Sequence, residues 1–249
     1  MTQACAIEIE NLTEDYGDVK AVDGLTLSIP EAEVFGLLGP NGAGKTTTIN
    51  CLTGVLKPTA GTIKVGGLDA ASEGSKVREI LGVSPQESAV YPYLTGRENV
   101  RLFGTLYSVP KKRLDARVDE MMEKVGLVEE AGRKVGKYSG GMKRRVSIAM
   151  ALVQDPRIVL LDEPTVGMDP QSRRAVWDFV MELRDEGKTI VLTTHYMEEA
   201  EELCDRVGII DHGRLIELGS PAGLKEKYGA KNLEDVFIQL TGRTIREGA

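Results

Sequence analysis

Short apolar segments, separated by glycine-rich or polar turns, recur along most of the chain. Residues 34–38 (VFGLL) and 158–161 (IVLL) contain no polar side chain, which is typical of strands buried on both faces of a parallel sheet. Residues 6–10 (AIEIE) instead alternate apolar and polar side chains, and this pattern predicts a half-buried strand. We also predict strands over residues 19–29, 59–67, 81–83, 189–193 and 207–218, the last as a hairpin turning at His212-Gly213.

A helical period replaces this alternation between about Thr95 and Val125. Apolar residues recur there three or four positions apart, and Pro110 divides the segment into two helices because proline is favoured in the first helical turn. The predicted apolar faces consist of Val100, Phe103, Leu106 and Tyr107, and then of Leu114, Val118, Met121, Met122 and Val125. Further predicted helices cover residues 47–52, 72–80, 139–153, 170–186 and 232–240. Helices and strands that alternate in this way indicate an α/β protein.

The segment between the predicted strand 34–38 and the predicted helix 47–52 fits the G-x-x-x-x-G-K-[ST] pattern of a phosphate-binding loop. Glycines allow the backbone to curl closely around a polyphosphate, and the start of the helix adds N–H groups and the positive end of its dipole. A glycine turn with a surface lysine is the simpler alternative, but it does not account for the strand before and the helix after. The loop, called the phosphate loop below, consists of Gly39, Pro40, Asn41, Gly42, Ala43, Gly44, Lys45, Thr46 and Thr47.

Two carboxylates, Asp162 and Glu163, follow the apolar run 158–161. Open α/β sheets bind ligands at the carboxyl ends of their strands, and neighbouring residues on a strand face opposite ways, so we expect the pair to divide its work. Asp162 suits Mg²⁺ and Glu163 suits the activation of a water molecule. Without the phosphate loop, an ordinary polar turn would be the better interpretation. His195 also follows a predicted buried strand, which favours a functional role over the structural role that is usual for a lone histidine.

A second predicted anion site lies at the start of the helix 139–153. Ser139 is a suitable N-cap, and Gly140 and Gly141 would expose backbone N–H groups there. The basic run Lys143-Arg144-Arg145 follows, and for at least one of its members a solvated helix face is the simplest interpretation. Tyr16, upstream of the phosphate loop, could stack on a nucleobase, although a tyrosine in a turn more often serves packing.

Composition narrows the class of protein. The 249 residues are 41% hydrophobic and 28% charged, which is ordinary for a globular protein with a sizeable core. A net charge of −7 argues against a nucleic-acid binder that relies on a general positive field. Three cysteines lie far apart without metal-ligand spacing, which suits a reducing compartment. We see neither a signal peptide nor an apolar run of membrane-spanning length, so we expect a cytoplasmic protein whose membrane role would need a partner.

These residues together resemble the nucleotide-binding subunit of an ABC transporter over roughly residues 5–225. The resemblance depends on the order of the motifs, because other phosphate-loop ATPases lack a Ser-Gly-Gly motif before the carboxylate strand. The order is the phosphate loop, Gln86, Tyr138-Ser139-Gly140-Gly141, residues 158–163, Gly167-Met168-Asp169-Pro170 and His195. It implies an α/β fold class with a phosphate-loop ATPase core and mostly parallel sheet, an antiparallel β subdomain and an inserted helical subdomain.

The helical pattern and the resemblance together predict a division of the single domain 1–249. Residues 1–86 and 153–225 would form the catalytic core, residues 87–152 the helical subdomain, and residues 226–249 a helical tail that docks on the body or on a partner.

The resemblance implies a role for each matching residue. ATP and Mg²⁺ would be bound by the phosphate loop, with Lys45 on the outer phosphates, Thr46 and Asp162 on the metal, and Tyr16 on adenine. Gln86 would contact the metal and the attacking water, Glu163 would activate that water, and His195 would hold the γ-phosphate. Ser139, Gly140 and Gly141 would grip ATP bound to a second subunit, and Asp169 would cross the interface. The implied assembly is a head-to-tail dimer, with identical subunits expected, that encloses two ATP molecules.

The segment 138–142, called the signature segment below, departs from the commonest family pattern. Tyr138 stands where leucine is frequent and Met142 where glutamine is frequent, while Gly167-Met168 replaces a serine or alanine followed by leucine. These variants most resemble exporter-type subunits of the drug, sodium or polysaccharide efflux class. The implied function is ATP hydrolysis that powers export through a separate membrane subunit, which would dock on the helical subdomain around residues 87–103.

Two other functions compete with transport. One is a soluble ATPase switch of the same family that acts on ribosomes, DNA or Fe–S assembly. Relatives acting on ribosomes usually carry two such domains and those acting on DNA a long coiled-coil insert, and the sequence shows neither feature. The other is a small-molecule kinase, which would leave residues 139–141 and His195 unexplained.

Overall fold

The computed structural model describes residues 4–242, which form ten strands and nine α-helices. The strands are β1 Cys5–Tyr16, β2 Val19–Pro30, β3 Val34–Leu38, β4 Ala60–Val65, β5 Leu68–Asp69, β6 Leu81–Ser84, β7 Ile158–Asp162, β8 Thr189–Thr194, β9 Arg206–Asp211 and β10 Arg214–Gly219. The helices are α1 Lys45–Leu52, α2 Gly74–Ile80, α3 Gly96–Leu106, α4 Lys111–Lys124, α5 Gly140–Leu152, α6 Pro170–Asp185, α7 Met197–Leu203, α8 Pro221–Tyr228 and α9 Leu233–Thr241.

The described residues divide into two compact units, and the first comprises residues 4–78 and 189–242. Its antiparallel sheet has the strand order β2-β1-β4-β5. In its other sheet, β3 lies between parallel neighbours β8 and β9, and β10 pairs antiparallel with β9. All five residues of β3 are buried, as the unbroken apolar run predicts. Gly36 allows close packing, because a Cβ there would lie 2.7 Å from the Sγ atom of Cys204.

The second unit, residues 79–188, contains four of the helices and the parallel strand pair β6 and β7. Helix α3 begins with a capping box, in which Thr95 and Glu98 each accept a hydrogen bond from the other's backbone N–H. Helix α4 buries the apolar face that the sequence predicts. A Cβ at Gly104 would collide with the side chain of Leu114, so the glycine sets the close approach of α3 to α4. Helix α5 packs on β6 and β7 and on the neighbouring helices.

The predicted fold class, α/β with a mostly parallel sheet and a separate antiparallel sheet, is confirmed. The predicted apolar face of α3 is wrong at one position, because Leu106, in the last turn, is 66% exposed. The tail helix α9 buries Leu233, Val236 and Phe237 and contacts α7 and α8 of its own unit. Residues 243–249 of the predicted tail lie outside the described residues. No helix within residues 4–242 combines the length and the apolar character needed to cross a bilayer.

Candidate functional site

The phosphate loop connects β3 to α1 in the first unit. Its backbone needs glycine at two positions, since Gly42 has φ +82° and Gly44 has φ +102°. A Cβ at Gly44 would also collide with the carbonyl oxygen of Ala21 in β2. Helix α1 begins without a side-chain cap and without an acidic residue in its first turn. The loop is therefore shaped by backbone requirements, and no carboxylate in that first turn competes with an anion for the N–H groups.

Lys45 is folded back over the phosphate loop. The residue is only 5% exposed, and its Nζ atom donates to the carbonyl oxygens of Gly39 at 2.7 Å and Pro40 at 3.2 Å. A buried ammonium group favours a nearby anion, because burial penalises an isolated charge. Thr46, the next residue, is exposed. The arrangement fits a polyphosphate that lies along the loop, with the Thr46 hydroxyl group beside it.

His195 lies close to the start of the phosphate loop. Strands β3 and β8 are parallel and in register, with Leu38 opposite Thr194, so the loop and His195 leave the sheet at the same edge. The backbone N–H of Gly39 donates to the carbonyl oxygen of Thr194 at 3.4 Å. The predicted position of His195 at the carboxyl end of a buried strand is confirmed. Tyr16, at the end of β1, is 53% exposed and so presents its ring for stacking.

In the second unit, Gln86 meets Glu163. The Gln86 Nε2 atom donates to Oε2 of Glu163 at 3.3 Å, and both Asp162 and Glu163 are buried. The strand argument from the sequence does not hold for Glu163, because β7 ends at Asp162 and Glu163 adopts φ +49°. A non-glycine residue in this left-handed region costs about 1–3 kcal/mol and persists only where its surroundings hold it. Such strain concentrates at functional sites.

The starts of α5 and α6 lie together in the same unit. Ser139 is the N-cap of α5, as predicted, and its Oγ accepts from the N–H of Met142 at 3.2 Å. Asp169 is the N-cap of α6 and accepts from the N–H and the hydroxyl of Ser172, at 2.9 and 2.7 Å. The hydrogen bond from the Ser172 hydroxyl is the main cause that lowers the pKa of Asp169. A Cβ at Gly141 would lie 3.0 Å from Oγ of Ser172, so a bulkier residue would press on this turn.

The two unusual residues of the signature segment are linked by Arg133. The Arg133 guanidinium lies 5.1 Å from the centroid of the Tyr138 ring, and its Nη2 atom lies 3.5 Å from Sδ of Met142. Tyr138 is buried, its hydroxyl donates to the carbonyl of Glu130 at 2.5 Å, and burial raises its pKa. Gly96 leaves room for that hydroxyl, because a Cβ there would lie only 2.6 Å from it.

Sequence reasoning missed Arg144. The residue is 5% exposed, and its guanidinium group donates to backbone carbonyls rather than facing solvent. A signal was present, since Arg144 is spaced three and four residues from Gly141 and Ile148 on the buried stripe of α5. A basic residue within such a stripe indicates a buried charge with a built set of acceptors.

Comparison with protein families gives one match that covers more than half of the chain. The ABC transporter family model matches residues 22–166. The linearmycin resistance ATP-binding protein LnrL of Bacillus subtilis (strain 168) is 44% identical, over 97% of this chain and 76% of its own length. The daunorubicin/doxorubicin resistance ATP-binding protein DrrA of Streptomyces peucetius is 45% identical over 92% of this chain and 69% of its own. The Nod factor export ATP-binding protein I of Burkholderia lata is also 45% identical, over 88% and 72%.

Solved structures give the same picture of the fold. The structure of an ATP-binding subunit of an ABC transporter matches with a TM-score of 0.86 and 27% identity, over 95% of this chain and 99% of that one. The dimeric structure of an ATP-binding cassette in a post-hydrolysis state, bound to ADP and Pi, matches with a TM-score of 0.78 and 26% identity, over 86% and 98%.

Proposed function

Because this chain belongs to the ABC transporter family, and is an ATP-hydrolysing subunit that powers transport through a separate membrane subunit, we propose that it drives export by ATP-dependent closure of a dimer. The direction is supported by relatives whose names describe drug resistance and Nod factor export. One observation carries the catalytic assignment, namely the contact of the Gln86 amide with the buried Glu163 carboxylate at 3.3 Å.

In the first unit, ATP is bound through its phosphates by the phosphate loop, residues 39–47. The Lys45 ammonium group, turned over that loop, neutralises charge on the outer phosphates, and the backbone N–H groups at the start of α1 hold their oxygens. His195, at the same sheet edge, holds the γ-phosphate. The exposed ring of Tyr16 stacks on the adenine.

In the second unit, Glu163 orients and deprotonates the attacking water, and Gln86 contacts the same water. The resemblance assigns three residues to Mg²⁺, and each has a side-chain oxygen of the kind that the ion prefers: Gln86 and Asp162 in the second unit, and Thr46 in the first. The Gln86 amide turns its nitrogen to Glu163, so its oxygen is the atom that a cation would take. When bound, Mg²⁺ neutralises charge on the phosphates.

Two copies of this chain form the closed state. Ser139, Gly140 and Gly141 of one copy bind the γ-phosphate of ATP held by the other, and Asp169 contacts the opposite subunit. The glycine-rich start of α5 supports this arrangement. A Cβ at Gly140 would meet no atom within 4 Å, so there is open space beside the helix N-terminus, where a phosphate could reach the backbone N–H groups. ATP thereby stabilises the dimer, because it contacts both subunits only when they are closed.

The membrane subunit docks on the helical part of the chain, around residues 87–103. This surface exposes Tyr91 and Tyr93, at 50% and 83%, and aromatic side chains are enriched in protein interfaces. We place the protein at the cytoplasmic face of the cell membrane, held there by this partner.

Replacement of the loop lysine tests nucleotide binding. We expect Lys45→Ala to lose ATP binding, because the buried ammonium group that faces the phosphates is removed. Isothermal titration with MgATP measures the affinity, and Lys57→Ala, at an exposed lysine of the same unit, is the matched control. Near-normal affinity of Lys45→Ala would contradict the assignment of the loop.

Replacement of the carboxylate tests catalysis. We expect Glu163→Gln to bind ATP but to hydrolyse it about 10²–10⁴-fold more slowly, since a general base is lost. It should accumulate as a dimer with MgATP in size-exclusion chromatography, whereas Glu129→Gln, at an exposed glutamate, should behave as wild type. A Glu163→Gln variant that stays monomeric in high MgATP would overturn the dimer, and full turnover would move the catalytic role to another residue such as His195.

A further inference from the structure

The buried guanidinium group of Arg144 donates hydrogen bonds to backbone carbonyls in two separate loops of the second unit. The Arg144 Nη1 atom donates to the carbonyl oxygens of Pro85 and, at 3.0 Å, of Gln86. Its Nη2 atom donates to the carbonyl of Asp162, and its Nε atom donates to the carbonyl of Pro164 at 3.1 Å. Arg144 itself is held by α5, the helix that begins at the signature segment.

Two of these acceptors flank Glu163. The carbonyl oxygens of Asp162 and Pro164 belong to the residues immediately before and after it, and Glu163 has φ +49°. L-residues rarely adopt this conformation unless their surroundings impose it. The guanidinium group binds the chain on both sides of the strained residue, so it holds the backbone that aims the Glu163 carboxylate.

The other two acceptors belong to the loop that carries Gln86. The side chain of this residue contacts Glu163 at 3.3 Å, while its own carbonyl oxygen accepts from Arg144. The Arg144 side chain therefore holds both backbone segments, the one that carries Gln86 and the one that carries Glu163, whose side chains are in contact. A lysine would carry its donors on one atom, whereas the planar fork of arginine directs Nε, Nη1 and Nη2 to separate acceptors.

We propose that Arg144 is a positioning residue for ATP hydrolysis, which fixes the Glu163 carboxylate and Gln86 in the arrangement that activates water. This rests on the proposed role of Glu163 as the base. Arg144 touches neither ATP nor water in this role, so its loss slows the chemical step and leaves nucleotide binding in place.

Steady-state kinetics of Arg144→Lys and Arg144→Gln test this role. We expect kcat to fall by about 100-fold, as for a small misplacement of a catalytic group, with KM for ATP within about twofold of wild type. Both variants should still form the MgATP-dependent dimer, because the phosphate loop and the signature segment are unchanged. Arg145→Gln is the matched control, since Arg145 also donates to backbone carbonyls, of Val125 and Gly126, away from Glu163. It should keep the wild-type kcat.

A double-mutant cycle separates positioning from general stability. In a Glu163→Gln background, the additional Arg144→Lys change should slow the residual single-turnover rate by a much smaller factor than in the wild-type background, because the carboxylate that Arg144 positions is already gone and only Gln86 remains to be positioned. An equal fractional loss in both backgrounds would overturn the proposal, as would a rise in KM with unchanged kcat. If Glu163→Gln alone keeps full turnover, the proposed function of Glu163 fails. If Glu163→Gln is inactive while Arg144→Lys hydrolyses ATP as wild type does, only the role of Arg144 fails.

Discussion

Alanine substitutions at three glycines separate the backbone requirement of the phosphate loop from its role in binding. Gly42 has φ +82° and Gly67, in the turn between β4 and β5, has φ +80°, and a Cβ at either position would meet no atom within 4 Å. Alanine at either position is therefore expected to lower the free energy of unfolding by about 1–2 kcal/mol, which is the strain of an L-residue in the left-handed conformation. Gly44 has φ +102° and its added Cβ would also collide with the Ala21 carbonyl, which adds about 1–3 kcal/mol of overpacking.

The expected order of stability follows from these terms. Gly42→Ala and Gly67→Ala should lose a similar free energy of unfolding, and Gly44→Ala should lose about 2–5 kcal/mol, the sum of the two costs. For a chain of this size each kcal/mol lowers Tm by about 2–4 °C. Thermal unfolding followed by circular dichroism gives the order directly, and it requires no nucleotide.

Nucleotide affinity distinguishes Gly42 from Gly67. If the free loop relaxes in Gly42→Ala, binding must restore the strained conformation, and the 1–2 kcal/mol becomes a loss of about 5- to 30-fold in affinity for MgATP. Gly67→Ala should bind as wild type does. Equal stability of Gly44→Ala and Gly67→Ala would refute the packing argument. A Gly42→Ala variant with both wild-type stability and wild-type affinity would refute the idea that ATP needs this loop conformation, because the strain must appear in one of the two measurements.

Three further predictions concern other parts of the chain. Gly96→Ala should destabilise the protein, because the added Cβ would lie 2.6 Å from the Tyr138 hydroxyl, and removing that hydroxyl in the Gly96→Ala/Tyr138→Phe variant should reduce the loss of stability. Chemical denaturation of the wild type, the two single variants and the double variant measures this coupling. Burial raises the pKa of Cys51 to about 12, so at pH 8 iodoacetamide should label the half-buried Cys5 well before Cys51, as peptide mass spectrometry would reveal. Hydrogen bonds from lysine and tyrosine partners lower the pKa of Glu217 from 4.5 to about 2, so the ionised side chain stabilises the folded state. The small excess in free energy of unfolding of the wild type over Glu217→Gln should be complete above pH 4.5 and should vanish as the pH falls to about 2, as urea titrations would measure.

Apolar patterning was sufficient for the elements that bury whole faces. Strands β3, β7 and β8 are buried at every residue, and each contains an apolar run, although β8 also buries three threonines and β7 ends in a buried aspartate. The predicted bounds of all three agree with the structure to within one residue. Helix α7 was missed because four of its seven residues are glutamates, which hide the buried Met197, Ala200 and Leu203. Its stability depends on packing against other elements of its unit, which a local pattern does not contain.

In the candidate site, too, some features could be predicted from the sequence and others could not. The phosphate loop and the N-cap role of Ser139 follow from local chemistry, because glycine freedom and capping depend on neighbouring residues alone. The left-handed backbone of Glu163 and the buried position of Arg144 depend on where two distant loops pass each other. Backbone carbonyls are identical at every position, so a sequence cannot indicate which of them a guanidinium group will bind.

The N-cap of α6 has a consequence for how two subunits would meet. Ser172 occupies one lone-pair direction on each oxygen of Asp169, so the carboxylate is already ionised and aimed before any second copy arrives. A side chain immobilised in advance loses little rotational freedom on association. In the proposed ATP-dependent dimer, this fixed carboxylate would lower the entropic cost that a flexible acidic side chain would add each time the two subunits close.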